Sequence, residues 1–210
     1  MCGRYSLDDT KEANERLLNL LRGLLESGDP LASQVHTGEI FPTQLAPVIV
    51  ADGGGVGVRA MRWGFPRAGG RGVVINSRSE KADFTPMFQR AVRERRCLVP
   101  VSGFYEWRRT PSGGKTKEKF AFQSQGGVDK GLMYLAGVYG EFPGGLDGFA
   151  IHTREADEQM RPYHDRMPVI LDDESVKKLW LLSPPQIPYA DLRRHFVPPR
   201  LYVRPAPAER

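Results

Sequence analysis

Cysteine is scarce: two occur in 210 residues, at positions 2 and 97. Two thiols make no disulfide framework, and with only four histidines they give no zinc-ligand spacing, so no metal is expected. Long apolar runs are absent. None approaches the ~18 residues a membrane-spanning helix needs, so no membrane partner is expected. The opening stretch MCGRYSLDDT has no apolar core of the kind a secretory signal requires, which makes the cytoplasm the expected compartment. Phosphate-binding loops and nucleophile elbows are also missing. Gly53-Gly54-Gly55 and Gly69-Gly70 lack the flanking pattern and read as turns, so no cofactor is expected.

Negative charge is in deficit. The net charge is +5, from 22 Arg and 8 Lys against 25 Asp and Glu. Guanidinium forks match phosphate oxygens bidentately, so the arginine excess suits a nucleic-acid partner. GC-rich codons would produce the same excess, and composition alone does not separate the two readings.

Hydrophobic content of 40% over 210 residues supports a proper core and one domain, 1–210, with a Pro-rich, partly irregular segment from about 184 onward. Asp8-Asp9-Thr10 reads as a cap before a helix whose apolar face is Ala13, Leu17, Leu20, Leu21 and Leu24, with Gly28 ending it. Short apolar runs over 45–51, 56–63, 72–75, 97–101, 104–107, 120–123, 132–139 and 149–153 read as strands, with a Gly-rich turn at 112–114. A second helix is predicted from Thr85-Pro86 to about Arg95, a third after Asp172-Asp173 with Val176, Leu179 and Trp180 inward, and a short one over 190–195. The fold class is therefore α+β: β-rich, with mixed or antiparallel strands and peripheral helices.

Position 2 is the most informative single position. Methionine aminopeptidases remove Met1 when the next side chain is small, and Cys2 qualifies. The product is a 1,2-aminothiol. Its amine condenses with an aldehyde to an imine, and its thiol then closes a thiazolidine ring. An α-amine titrates near ~8, so roughly a tenth is neutral and nucleophilic at pH 7. On position alone, chance placement of Cys after the start codon is the commoner explanation.

Four segments concentrate polar residues where strands should be apolar: Cys2-Gly3-Arg4-Tyr5, Ile75 to Glu80, Gly103 to Trp107, and His164 to Pro168. Glu106 lies between aromatics that could desolvate it into the general acid–base range, or it occupies the wet face of a strand by simple alternation. His164 is a candidate acid–base group. Asn76 could donate to an oxygen or fix a turn. Arg4, Arg78 and Arg166 could hold phosphates, and Trp63, Trp107 and Tyr105 could stack bases, though most aromatics are core. Cys97, inside an apolar strand, reads as an inert buried thiol.

Taken together, MCGRY, WGF, INSRSE, RRCLVPVSGFYEW and HDRMPVIL resemble the SRAP (SOS response-associated peptidase) family of abasic-site processing proteins. The resemblance implies a barrel-like core. It also implies a self-processing peptidase activity that removes Met1, followed by a covalent thiazolidine crosslink between Cys2 and an abasic site in single-stranded DNA. It assigns Cys2 as nucleophile, Asn76 to positioning, Glu106 to proton shuttling and His164 to sugar ring opening. Arg4, Arg78 and Arg166 would grip phosphates, with Trp63, Trp107, Pro42 and Thr43 completing the DNA contact. A monomer working beside the replication machinery is the implied setting. Two departures stand out. The family's Asn-x-x-Pro-Thr reads Glu39-Ile40-Phe41-Pro42-Thr43 here, and a carboxylate facing a DNA groove would repel it. The Trp segment is shortened to Trp63-Gly64-Phe65-Pro66 and lacks the second Trp, so stacking beside the lesion is either weaker or taken over by Phe65. Two other classes stay open: a cysteine peptidase or amide hydrolase using Cys2, His164 and Glu106, and a non-covalent single-strand binder with Cys2 incidental.

Overall fold

The computed structural model describes residues 2–7, 14–67, 72–109, 117–125, 132–142 and 145–207. The strands are β1 (Tyr5–Leu7), β2 (Gly38–Ile40), β3 (Leu45–Asp52), β4 (Gly55–Trp63), β5 (Phe65–Pro66), β6 (Val73–Val74) and β7 (Asn76–Arg78). They continue as β8 (Arg96–Val101), β9 (Gly103–Arg109), β10 (Lys117–Ser124), β11 (Met133–Gly140), β12 (Gly148–Glu155), β13 (Arg166–Pro168) and β14 (Leu201–Pro205). The helices are α1 (Asn14–Glu26), α2 (Ala91–Glu94), α3 (Glu174–Leu182) and α4 (Tyr189–Arg193).

Five strands close on themselves. β3 pairs β4 and β8, β8 pairs β11, β11 pairs β12, and β12 runs parallel to β4. A closed ring leaves no unpaired edge among its members, which is the barrel-like core expected from the sequence. The β3–β4 hairpin is turned by Gly53 (φ 54°) and Gly54 (φ 91°), the double left-handed conformation of a two-residue loop that only glycine adopts cheaply. Where β11 meets β8, Gly137 faces Cys97. A Cβ on Gly137 would sit 2.9 Å from the Cys97 sulfur, so the buried thiol acts as filler in a tight wall.

A second sheet runs β14-β10-β9-β1-β2, antiparallel at each pairing. β8 and β9 are one stretch of chain broken only at Ser102, whose N–H donates to Ser6 O at 2.7 Å. That stretch feeds the barrel first and the open sheet second. Side chains of both sheets share one apolar core that includes Tyr5, Leu7, Trp63, Phe104, Phe122 and Phe149. Each such fully buried side chain contributes about 1.5–3 kcal/mol.

The helices follow their signals with some changes. α1 buries Leu17 and Leu24 and ends at Gly28 (φ 72°). Asp173 caps α3, its side chain accepting from the N–H groups of Ser175 and Val176. The helix expected from Thr85 to about Arg95 is a correction: only Ala91–Glu94 is α-helical. Upstream, the bonds alternate between three- and four-residue spacing (Phe88 N to Thr85 O, Gln89 N to Thr85 O), so no continuous ladder forms. The Pro-rich end also carries more order than expected. Leu201–Pro205 adds to β10 as an edge strand, where Pro205 costs no ladder bond. The expected cap at Asp8-Asp9-Thr10, Ala13, and the turns at Gly69-Gly70 and 112–114 lie outside the described residues. Among the described residues no helix is long and apolar enough to cross a membrane.

Candidate functional site

Cys2 precedes β1 and is fully buried. Asn76 opens β7, which lies parallel to β12 in the register Ile151 to Asn76. That register brings the Asn76 amide under the N-terminal segment, where Nδ2 donates to Cys2 O at 2.9 Å. Asn76 Oδ1 is buried and meets no donor among the described residues. Trp63 sets this position. Its Nε1 donates to Ile75 O at 3.1 Å, holding the residue before Asn76. Trp63 is fully buried against Tyr5 and Phe149. The expectation that Trp63 stacks a DNA base is therefore corrected: it has no exposed face, and it positions the strand that carries Asn76. Phe65, the suggested substitute, is likewise buried, edge-on to Phe88 and Phe142.

Glu106 lies on β9, opposite Phe120 of β10. Strand alternation turns Phe104 and Glu106 to the inner face and Tyr105 and Trp107 to the outer one. Glu106 is only 3% exposed, so simple alternation onto the wet face is not what the fold does. Burial pushes its carboxyl above the usual carboxylate range, and the charge of Asp165 adds to the rise. Burial likewise pushes the Cys2 thiol far above its ordinary value, with the Glu106 charge adding to it. A thiol held that way is not a resting thiolate. Chemistry at Cys2 has to start elsewhere or borrow a base.

His164 sits in the turn before β13. Its Nδ1 accepts the Arg166 N–H at 2.9 Å and lies 2.6 Å from Asp165 Oδ1. The two contacts suit different states. The neutral ring accepts from the backbone, and a protonated Nδ1 would donate to Asp165. Burial holds the ring's proton affinity below the usual histidine value, which favours the neutral form at pH 7.

The three arginines differ. Arg78 ends β7 and is exposed. Arg166 is buried and bidentate to Glu80, at 2.9 and 2.8 Å, with a further bond to Thr153 O. Its fork is committed inside the protein. Arg4 lies over Phe41 at 4.1 Å and Trp107 at 5.3 Å, and reaches Glu39 at 3.3 Å. Trp107 is half-buried on the outer face beside it. Pro42-Thr43 forms a turn in which Thr43 takes φ 76° and donates from its N–H to Trp63 O at 2.8 Å. A β-branched residue rarely adopts that conformation, so the turn is strained and held from outside.

Sequence reasoning missed Lys119. It is nearly buried on β10, with Nζ 2.6 Å from Glu39 Oε1 and 4.1 Å from the Tyr105 ring. No local signal in Lys117-Glu118-Lys119 marks it out, because its partner lies 80 positions away. Glu80, the partner of Arg166, was visible in the INSRSE segment but had no assigned role.

The fold and site define a class: a closed barrel joined to an open sheet, with a buried near-N-terminal thiol held beside an amide and under the influence of a protonatable carboxyl. The family model for SOS response associated peptidase (SRAP) matches residues 1–202, and the chain belongs to that family. It is 31% identical over 191 residues to the abasic site processing protein YoqW of Bacillus subtilis, covering 86% of this chain and 80% of that one. It is 24% identical over 188 residues to the abasic site processing protein YedK of Escherichia coli, covering 86% and 79%. A crystal structure of a protein from Bacteroides thetaiotaomicron shares the fold, with TM-score 0.75, 19% identity, and coverage of 97% and 91%.

Proposed function

We propose that this chain, once Met1 is removed, forms a covalent thiazolidine crosslink with abasic sites in single-stranded DNA. The names of its relatives supply the substrate class. The observation that carries the reading is the convergence on Cys2 of Asn76 and of a buried carboxyl raised above its ordinary range.

The Cys2 amine adds to the aldehyde carbon of the ring-opened sugar, and the resulting carbinolamine loses water to give an imine. The thiol sulfur then adds to the imine carbon while its proton passes to the imine nitrogen. Water is the one group lost, and no oxidant is needed. Glu106 moves the protons: it donates to the departing hydroxyl and receives from the amine. Such a group supplies roughly 10²–10⁴-fold. The imine-first order suits a thiol held far above its ordinary value, because sulfur attacks only after an electrophile lies beside it. Asn76 holds the Cys2 carbonyl and presents an oxygen acceptor to the new ring. His164, neutral at its ring, takes the proton of the anomeric hydroxyl and returns it to the ring oxygen as the sugar opens. Arg4, Arg78, Trp107 and the Pro42-Thr43 turn form the outer contact with the strand. Removal of Met1 is self-processing at the same carboxyl.

The test is denaturing electrophoresis after mixing mature protein with an abasic single strand. A retarded band that survives denaturant supports the reading. Binding without such a band would leave a non-covalent module, and cleavage of a peptide library would favour an amide hydrolase.

A further inference from the structure

We propose that Glu39 fills, with its own carboxylate, a phosphate position built by Arg4 and Lys119, and so sets the strength and salt dependence of single-strand binding. The proposal rests on the reading of this face as a DNA contact.

The position is assembled across the open sheet. Lys119 comes from β10, Tyr105 and Trp107 from β9, Arg4 from the approach to β1, and Glu39 from the edge strand β2. Glu39 Oε1 takes the Lys119 ammonium at 2.6 Å and Arg4 Nη1 at 3.3 Å. Two cations meeting one oxygen leave a net positive charge. The cations are held by aromatic faces as well: Lys119 over Tyr105 at 4.1 Å, Arg4 over Phe41 at 4.1 Å. They would stay near their places if the carboxylate left.

A phosphodiester oxygen carries the same charge and the same acceptor geometry as Oε1. The two grips are unequal. A charge-assisted N–H to O bond is normally about 2.7–2.9 Å. The Lys119 contact is at least that short, whereas the Arg4 contact is long. Arg4 is the exchangeable arm, and it is also the arm nearer solvent, at 18% side-chain exposure against 6% for Lys119. An incoming strand takes Arg4 first, and Glu39 falls back on Lys119. A carboxylate at this position therefore does not simply repel DNA. It competes for one cation and screens another.

The consequence is measurable. On single strands each phosphate contact adds about 0.7 to the salt slope of binding. Glu39→Gln removes the competitor and should steepen the slope by about that amount. Between about 200 and about 50 mM salt, the ratio of mutant to wild-type affinity should then grow about 2.6-fold. Adding Arg4→Ala to Glu39→Gln should return the slope to the wild-type value.

The experiment is fluorescence anisotropy of an undamaged oligothymidylate with the full chain, titrated with salt, for wild type, Glu39→Gln, Glu39→Asn and the double variant. Circular-dichroism melts of each variant confirm the fold, and Glu39→Asn serves should the Gln form fail to fold. Equal slopes for folded wild type and either neutral variant would overturn the proposal. A wild type that shows no salt-dependent binding at all would overturn the DNA reading itself, which separates the two failures.

Discussion

Asn76 donates from Nδ2 to the carbonyl oxygen of Cys2 at 2.9 Å, although 74 positions separate them. A buried carbonyl robbed of its donor costs about 1–3 kcal/mol. Asn76→Ala should therefore lower stability by that amount and slow crosslinking. Asn76→Asp should do worse on rate, because it sets a carboxylate against the Cys2 carbonyl. Melting curves and a quenched gel time course measure both. A variant that crosslinks at the wild-type rate would remove Asn76 from the site.

The two cysteines should separate cleanly. Cys2→Ala should abolish the denaturant-resistant adduct, since the ring needs nitrogen and sulfur on one residue. Cys97→Ala should keep the adduct and lose only packing against Gly137. Intact-mass spectrometry after reaction with abasic DNA reads each outcome, and the reverse pattern would refute the assignment.

Glu106 carries a pH signature. Its carboxyl is raised by burial, so the folded chain holds a proton that the unfolded chain releases near ~4.3. The stabilisation is full below that value and is lost as pH rises through the folded one. Glu106→Gln removes the titration. Its melting temperature should gain on wild type as pH rises above the unfolded value near ~4.3, while crosslinking slows by ~10²-fold or more. A parallel pair of stability curves would place Glu106 in solvent.

Arg78 and Arg166 should part company. Exposed Arg78→Ala should flatten the salt slope by about 0.7 with little change in stability. Arg166→Ala strips the buried partner from Glu80 and should cost stability first, on the order of 1–3 kcal/mol, since Glu80 keeps some solvent. Urea melts alongside anisotropy titrations tell the two effects apart. Unchanged stability in Arg166→Ala would return that fork to the DNA contact.

His152 predicts acid lability. It is fully buried between Trp180 and Tyr189, and neither ring nitrogen has a partner among the described residues. Burial pushes its pKa down to about 3. Its contribution is therefore present above the unfolded value near ~6.5 and is lost as pH falls toward the folded one, at up to ~1.4 kcal/mol per pH unit. His152→Leu should flatten the acid limb of the stability profile. A limb as steep as wild type would assign the loss to other groups.

The polar segments were legible because they interrupt apolar strands, and Cys2, Asn76, Glu106 and His164 all fall in them. The strands around the barrel were legible for the converse reason. What sequence could not show was direction and partnership. Trp63 and Trp107 look alike in sequence, yet one is a core anchor and the other faces outward over Arg4. Arg166 reads as a phosphate ligand until Glu80 is placed beside it, 86 positions away. β14 was hidden because an edge strand needs only a partner, and its partner β10 comes from a different part of the chain. The shortened helix after Thr85 kept its helical turns but not their continuity, which depends on packing that a local pattern does not encode.

The break at Ser102 has a mechanical consequence. On one side of it the chain belongs to a ring with no free end. On the other it carries Glu106, four residues away, as the third strand of a sheet whose far border is the three-residue β2. Compliance is thus distributed unevenly. On the proposed reading, a pull by a bound strand meets the border that bears Glu39 before the carboxyl joined to the hoop, so the outer contact would yield and reseat while the reacting atoms keep their alignment.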